Sequence, residues 1–332
     1  MRAAQITTPN HLTLIDLPIP TPQGSEVLIR VQASGICGTD VHIFRGEYLG
    51  SYPVIPGHEF AGVVEQVGPQ VTRFKPGDRV AVEPNLACDN CINCLNNRQN
   101  FCLNWQAVGV TRPGGMEEFT LVPERAVFSI GEMPFEVGAF MEPLSCVLHG
   151  VERAQIRLND RVAILGAGPI GMLLLQAVRL QGAARVTVVD RQFARVQTAL
   201  KFGAEQTLLD LDELEHDAFD VVIDATGALP VISRSLDFAR PGGTVLLFGV
   251  PPAGKKVEIE PFLIFRKGLK ILSSYTSVRN SYQALGLLQS GQMRVQELIS
   301  HRLSLAEFQH GIETIEQGRE GVMKVMIFPG KA

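Results

Sequence analysis

No stretch of this 332-residue chain approaches eighteen uninterrupted apolar residues, so a membrane-spanning helix is not expected. Met1 to Ile6 opens an alternation of polar and apolar residues that runs on to Leu17, which reads as strand rather than signal peptide. The expected location is the cytoplasm, where thiols stay reduced. There is no fixed-period repeat, no low-complexity segment and no basic block, and the formal net charge is −4. That balance offers no footprint for nucleic acid or an anionic membrane surface, and it directs attention to small-molecule partners.

Cysteine is scarce, at six residues, yet Cys88, Cys91, Cys94 and Cys102 fall within fifteen positions with the spacing C-x2-C-x2-C-x7-C. Two-residue gaps bend the backbone so that thiolates converge. The residues between them (Asp89, Asn90, Asn93, Asn96, Asn97) tolerate tight turns. A tetrahedral zinc needs such a set. The alternatives are two disulfides or four unrelated thiols; cysteines this close make strained disulfides, and nothing else suggests secretion.

At 332 residues and 45% apolar content, the chain suits two cored domains. To about residue 140, short β-rich runs (Glu26 to Gln32, Phe60 to Val67, Arg79 to Val82) are broken by Gly and Pro, giving an irregular, mostly β domain. From about Arg161 the pattern becomes strand, glycine turn, helix, strand: RVAIL, GAGPIG, MLLLQAVRLQG, RVTVVD. Further strands are expected at Asp220 to Asp224 and Thr244 to Phe248, around a helix from Leu229 to Phe238. The sheet should be parallel and doubly wound. Helices near Ser281 to Gln289 and Leu305 to Gln317, then a strand Val322 to Phe328, should return to the first domain. The expected division is 1–143 with 277–332, carrying a cysteine lobe at 84–105, and 144–276.

The loop Gly166-Ala167-Gly168-Pro169-Ile170-Gly171 follows the apolar strand Val162 to Leu165 and opens a long apolar helix, so its N–H groups would face a pyrophosphate. Gly166 permits the tight turn, Gly168 the approach of the phosphates and Gly171 the packing of helix on strand. Asp190, nineteen residues after Gly171, is where a carboxylate accepts hydrogen bonds from an adenosine ribose. A ribose 2′-phosphate there would meet like charge, favouring NAD over NADP, although Arg191 could pair with a phosphate.

Further metal-ligating residues stand upstream: Cys37 in Gly35-Ile36-Cys37-Gly38-Thr39-Asp40-Val41-His42, and His58 with Glu59 in Pro56-Gly57-His58-Glu59. Cys, His and carboxylate can hold zinc while leaving a position open for water or substrate. Taken singly, Cys37 reads as a buried core thiol and His58 as a bonded loop histidine; their company reverses that. Arg45, Glu47, Tyr48 and Tyr52 either line a substrate mouth or sit on a loop exposed for other reasons. Cys146 and His149 read as core and surface-helix residues.

The motifs G-I-C-G-T-D-x-H, P-x-x-x-G-H-E-x-x-G, the four-cysteine lobe and G-x-G-x-x-G occur in the order found in zinc-containing medium-chain alcohol dehydrogenases, which the chain resembles over essentially its full length. Met141-Glu142-Pro143-Leu144-Ser145 is similar to the polyol (sorbitol) dehydrogenase branch, where a glutamate replaces a cysteine ligand. The resemblance implies an α/β protein with a GroES-like, mostly-β catalytic domain and a Rossmann NAD-binding domain. It implies two zinc ions per subunit: a structural one on the four-cysteine lobe and a catalytic one held by Cys37 and His58, with Glu59 and Glu142 bound directly or through water. Thr39 matches the hydroxyl that touches the substrate oxygen, and His42 the outer end of a proton relay. Asp190 and Arg195 match adenosine-ribose contacts, and Phe248, Gly249 and Val250 fall at the cofactor. A homodimer or homotetramer is implied, with strands near Leu269 to Tyr275 paired across subunits.

The implied reaction is reversible transfer of a hydride from a secondary hydroxyl of a polyol or sugar alcohol to NAD. L-Threonine and polyol phosphates are the alternative substrates. Two other classes stay open: a zinc-free NAD(P)-dependent reductase of the same fold, against which both ligand sets are complete, and a non-catalytic binding protein, against which Cys37, Thr39, His42, His58 and Glu59 are all present.

Overall fold

In a computed structural model describing residues 1–48 and 51–331, the chain forms two compact units, Met1–Ser145 with Ser277–Ala332 and Cys146–Thr276. The first boundary falls two residues after the expected 143. No helix among the described residues is long and apolar enough to cross a membrane.

The first unit is built on a seven-stranded sheet whose central strand, Glu26–Gly35, pairs antiparallel with Glu59–Val67, Phe119–Pro123 and Lys324–Phe328. Arg79–Val82 and Val127–Ser129 extend it on one side, and Ile299–Ser304, parallel to Lys324–Phe328, closes the other. Alternating Val27, Ile29 and Val31 point to one apolar cluster with Phe60, Val64, Val80 and Val122, as the two-residue period of a strand requires. A second cluster gathers Ile36, Ile43 and Phe44 against Phe308, Ile312, Val325 and Ile327, so the last 30 residues complete the core of the first hundred. The helix Phe308–Gln317 begins as a 3-10 turn, Leu305–Glu307, capped by Ser304 and Glu307.

The second unit is a six-stranded, all-parallel sheet. Its order is Gln206–Leu208, Arg185–Val189, Arg161–Leu165, Phe219–Asp224, Ala239–Leu247 and Lys270–Ser273. Crossover helices include Pro169–Leu180, Phe193–Lys201 and Leu229–Phe238. Val162, Ala163, Ile164 and Leu165 are all buried, as a strand covered on both faces requires.

Two elements depart from the sequence reading. The N-terminal alternation is a hairpin of two strands, Arg2–Thr8 and His11–Asp16, because Asn10 takes a left-handed conformation (φ 64°) and turns the chain. The strand expected from Thr244 begins at Ala239: Phe219 pairs with Ala239, and the ladder resumes only at Val221 with Thr244. Pro241, Gly242 and Gly243 bulge out between, where a proline needs no ladder bond.

Candidate active site and metal centres

The antiparallel register of three strands assembles the upstream ligands. Gly35, at the carboxyl end of the central strand, pairs with Glu59 at the amino end of one neighbour and Met326 at the middle of the other. Strands run about 4.8 Å apart, so Cys37, two residues beyond Gly35, meets His58 and Glu59 from one side and Lys324 from the other. One donor atom each from Cys37, His58 and Glu59 lies within 4.8 Å of the others. Glu142, buried in the first turn of the helix Met141–Ala154, does not belong to that converging group among the described residues.

Two buried groups support these donors, and the sequence reading gave neither a role. Asp40, fully buried, accepts the Cys37 N–H (2.8 Å) and the Gly57 N–H (3.2 Å), and its Oδ1 lies 3.5 Å from His58 Nδ1. One carboxylate thus ties the two ligand loops and sets its charge beside the imidazole, whose Nδ1 makes no hydrogen bond among the described residues. Lys324 pairs with Glu59 Oε2. Burial opposes charge on this lysine, but Glu59, Cys37 and Asp40 outweigh it and hold its pKa above the ordinary value. Burial likewise opposes the His58 imidazolium, and Asp40 with Cys37 overcome it, so a metal taken up here must expel a proton. Glu59 Oε1 is buried with no hydrogen-bond partner. A bare carboxylate oxygen beside a thiol and an imidazole fits a divalent cation that takes S, N and O donors.

Thr39 and His42 sit on the short helix Gly38–Arg45, one turn apart and both partly exposed. Glu47 Oε2 lies 3.0 Å from His42 Nδ1. Arg45 is drawn to Glu316 (2.6 Å), and the Tyr52 hydroxyl donates to the Ile43 carbonyl.

In the cysteine lobe, Cys91 and Cys94 sulfurs are 3.5 Å apart, and the Cys88–Cys94 and Cys91–Cys102 pairs 4.0 Å. All four thiols are free. Disulfide sulfurs would stand about 2.05 Å apart, whereas a tetrahedron with metal–sulfur distances of about 2.3 Å has edges of about 3.8 Å. Backbone N–H groups of Cys88, Leu103 and Asn104 point at Cys102, Cys91 and Cys102 sulfurs respectively. The Leu103 N–H helps bring the Cys91 thiol down to about 6, while burial pushes Cys94 up to about 12. Four adjacent thiols cannot all ionise unaided; a bound divalent cation would supply the missing charge.

In the second unit, Gly166 takes φ +107°, and a Cβ there would sit 2.7 Å from Thr226 Cγ2. A Cβ at Gly171 would overlap the Gly166 carbonyl oxygen. Gly168 caps the helix that Pro169 opens and Ile170 continues, with no atom nearer than Arg195 Nη1 at 3.9 Å to where its Cβ would be. Open space before a helix N-terminus is what an approaching phosphate requires. Asp190 accepts the Ala167 N–H (2.8 Å) and the Gln192 N–H (2.9 Å), with Arg195 Nη1 3.6 Å away. Phe248 and Gly249 N–H groups donate to the Asp224 carbonyl, and Val250, half exposed, follows. The buried Asp224 carboxylate accepts from Thr226 and Gly227, fixing the neighbouring turn.

Family models match two segments: the alcohol dehydrogenase GroES-like domain over residues 23–132 and the zinc-binding dehydrogenase domain over residues 169–290. The D-altritol 5-dehydrogenase of Agrobacterium fabrum is 38% identical, covering 92% of this chain and 94% of that protein. An L-threonine 3-dehydrogenase of Sinorhizobium medicae is 32% identical over 97% of each. Among solved structures, a protein of Sinorhizobium meliloti 1021 described as a zinc-binding dehydrogenase bound to NADP superposes with a TM-score of 0.94 at 36% identity, covering 99% of both chains. With both family models matched and relatives aligned over nearly their whole lengths, the chain belongs to the zinc-binding alcohol dehydrogenases, enzymes that move a hydride between an alcohol carbon and a nicotinamide cofactor.

Proposed function

We propose that the enzyme oxidises a secondary hydroxyl of a polyol or sugar alcohol with NAD, reversibly, at a catalytic zinc held firmly by Cys37 and His58 and exchangeably by Glu59 and Glu142. A second zinc on Cys88, Cys91, Cys94 and Cys102 is structural. The observation that carries the reading is the convergence of Cys37, His58 and Glu59 around a buried, unpartnered carboxylate oxygen. Bound there, zinc would supply Lewis acidity to a substrate hydroxyl, and NAD on the glycine loop would supply the hydride acceptor.

The chain's own residues do the rest. Thr39 offers a hydroxyl that can hand on the substrate proton. With its Nδ1 on Glu47, His42 offers its Nε2 to receive the substrate proton and pass it to water. Asp40 keeps a negative charge beside the His58 ring. Glu142, a carboxylate where a thiolate would be softer, adds hydrogen-bond acceptors suited to several hydroxyls.

Substrate class and cofactor follow from charge. The altritol dehydrogenase relative supports a polyol, and pairing of Arg45 with Glu316 argues against a phosphate or carboxylate bound by that arginine. The Asp190 carboxylate at the ribose position favours NAD, although the Sinorhizobium meliloti relative holds NADP. The strand Lys270–Ser273 lies at the sheet edge, and Phe262 and Phe265 on the helix before it are exposed, which supports pairing of subunits there as a homodimer or within a homotetramer. A panel of polyols, threonine, polyol phosphates and simple alcohols, each with NAD and NADP, tests the reading. The highest kcat/KM is expected for an uncharged polyol with NAD, and a clear preference for threonine or a phosphorylated substrate would contradict it.

A further inference from the structure

The ion pair between Glu59 and Lys324 spans 265 residues of sequence and is buried at both ends, with Glu59 1% and Lys324 5% exposed. Lys324 holds Oε2 of the carboxylate, while Oε1 has no partner and the side chain belongs to the donor group of Cys37 and His58. The pair packs over Gly35, where a Cβ would overlap Glu59 Oε2 and approach Lys324 Cε to 2.6 Å. A side chain at position 35 would push the two apart. Lys324 Nζ also stands 5.9 Å from the centre of the Phe140 ring, which shields it from water.

Such a carboxylate is subject to two competing cations. With the ammonium in place, one oxygen is held off; without it, the carboxylate is left buried and uncompensated, and a metal on Cys37 and His58 would supply the compensating charge. We infer that Lys324 is a positioning residue: it holds Glu59 back from full coordination and so keeps a coordination position open for the substrate oxygen. This rests on the reading that Cys37 and His58 hold a divalent metal.

The test uses the intact enzyme with cobalt(II) exchanged into the catalytic site and zinc left on the cysteine lobe. Visible absorption reports the cobalt coordination, and a chromogenic chelator reports its release. Lys324→Met is expected to shift the cobalt bands, slow release about tenfold and lower turnover, and Lys324→Arg to restore the parent spectrum. Glu59→Gln alone is expected to shift the bands less than Lys324→Met does and to release cobalt no slower than the parent. Adding Glu59→Gln to Lys324→Met removes both buried charges and should bring the spectrum and release back toward the parent. A Lys324→Met enzyme that loses cobalt faster, with unchanged bands, would show a merely structural lysine and overturn the inference. If Lys324→Met does not fold, Glu59→Gln decides, because a band shift as large as that of Cys37→Ser would mean that Glu59 already coordinates fully in the parent. A parent enzyme whose cobalt spectrum matches that of Cys37→Ser would instead overturn the metal reading itself.

Discussion

Glu117 is a carboxyl 2% exposed in the run Met116-Glu117-Glu118 that leads into the strand Phe119–Pro123. Burial pushes it from 4.5 up to about 8, with the nearby Thr120 hydroxyl pulling the other way. Because the folded state keeps this proton while the unfolded chain releases it, stability contributed by the neutral acid is complete below about pH 4.5 and is lost as pH rises to about 8. At about 1.36 kcal/mol per pH unit over about 3.5 units, the loss has a ceiling of about 5 kcal/mol, which relaxation and entering water reduce. Glu117→Gln keeps the shape of the neutral acid and abolishes the titration. Denaturant unfolding of both proteins should give equal stability, within about 1 kcal/mol, at pH 4.5 and a Gln advantage that grows to several kcal/mol by pH 8.5. A difference that does not change with pH would refute the reasoning.

Cys94→Ser is expected to remove one zinc per chain and lower the melting temperature by several degrees, as scanning calorimetry and elemental analysis would register, because the lobe loses the ion that neutralises its thiols. Unchanged thermal stability would contradict a structural zinc. Gly171→Ala places a Cβ against the Gly166 carbonyl and should weaken NADH binding at least tenfold in a fluorescence titration, at a stability cost of about 1–3 kcal/mol. Parent-like affinity would show that the helix can shift away.

The parts of the site legible in the sequence are those whose ligands lie close together along the chain. Four cysteines in fifteen positions and a glycine loop between a strand and a helix state their chemistry locally. Lys324 does not: it looks like any lysine opening a strand, and only the pairing of Lys324–Phe328 beside Glu26–Gly35 brings it to Glu59. Asp40 sits inside the Cys37 motif, but spacing cannot reveal that its side chain turns back to Cys37 and across to Gly57. Glu142 reads as a neighbour of the upstream ligands by analogy, yet its carboxylate does not join the converging donor atoms. The alternation of the N-terminal segment hid a hairpin because the turn depends on the backbone angle of Asn10, which a polar-apolar pattern does not record.

Metal content measured together with turnover tests the central claim most directly. Freshly purified enzyme should carry two zinc ions per chain, matching the two donor clusters. Cys37→Ser should carry one, bind NAD as the parent does and turn over no substrate. Full activity in Cys37→Ser, or a parent enzyme active with no metal outside the cysteine lobe, would contradict the account.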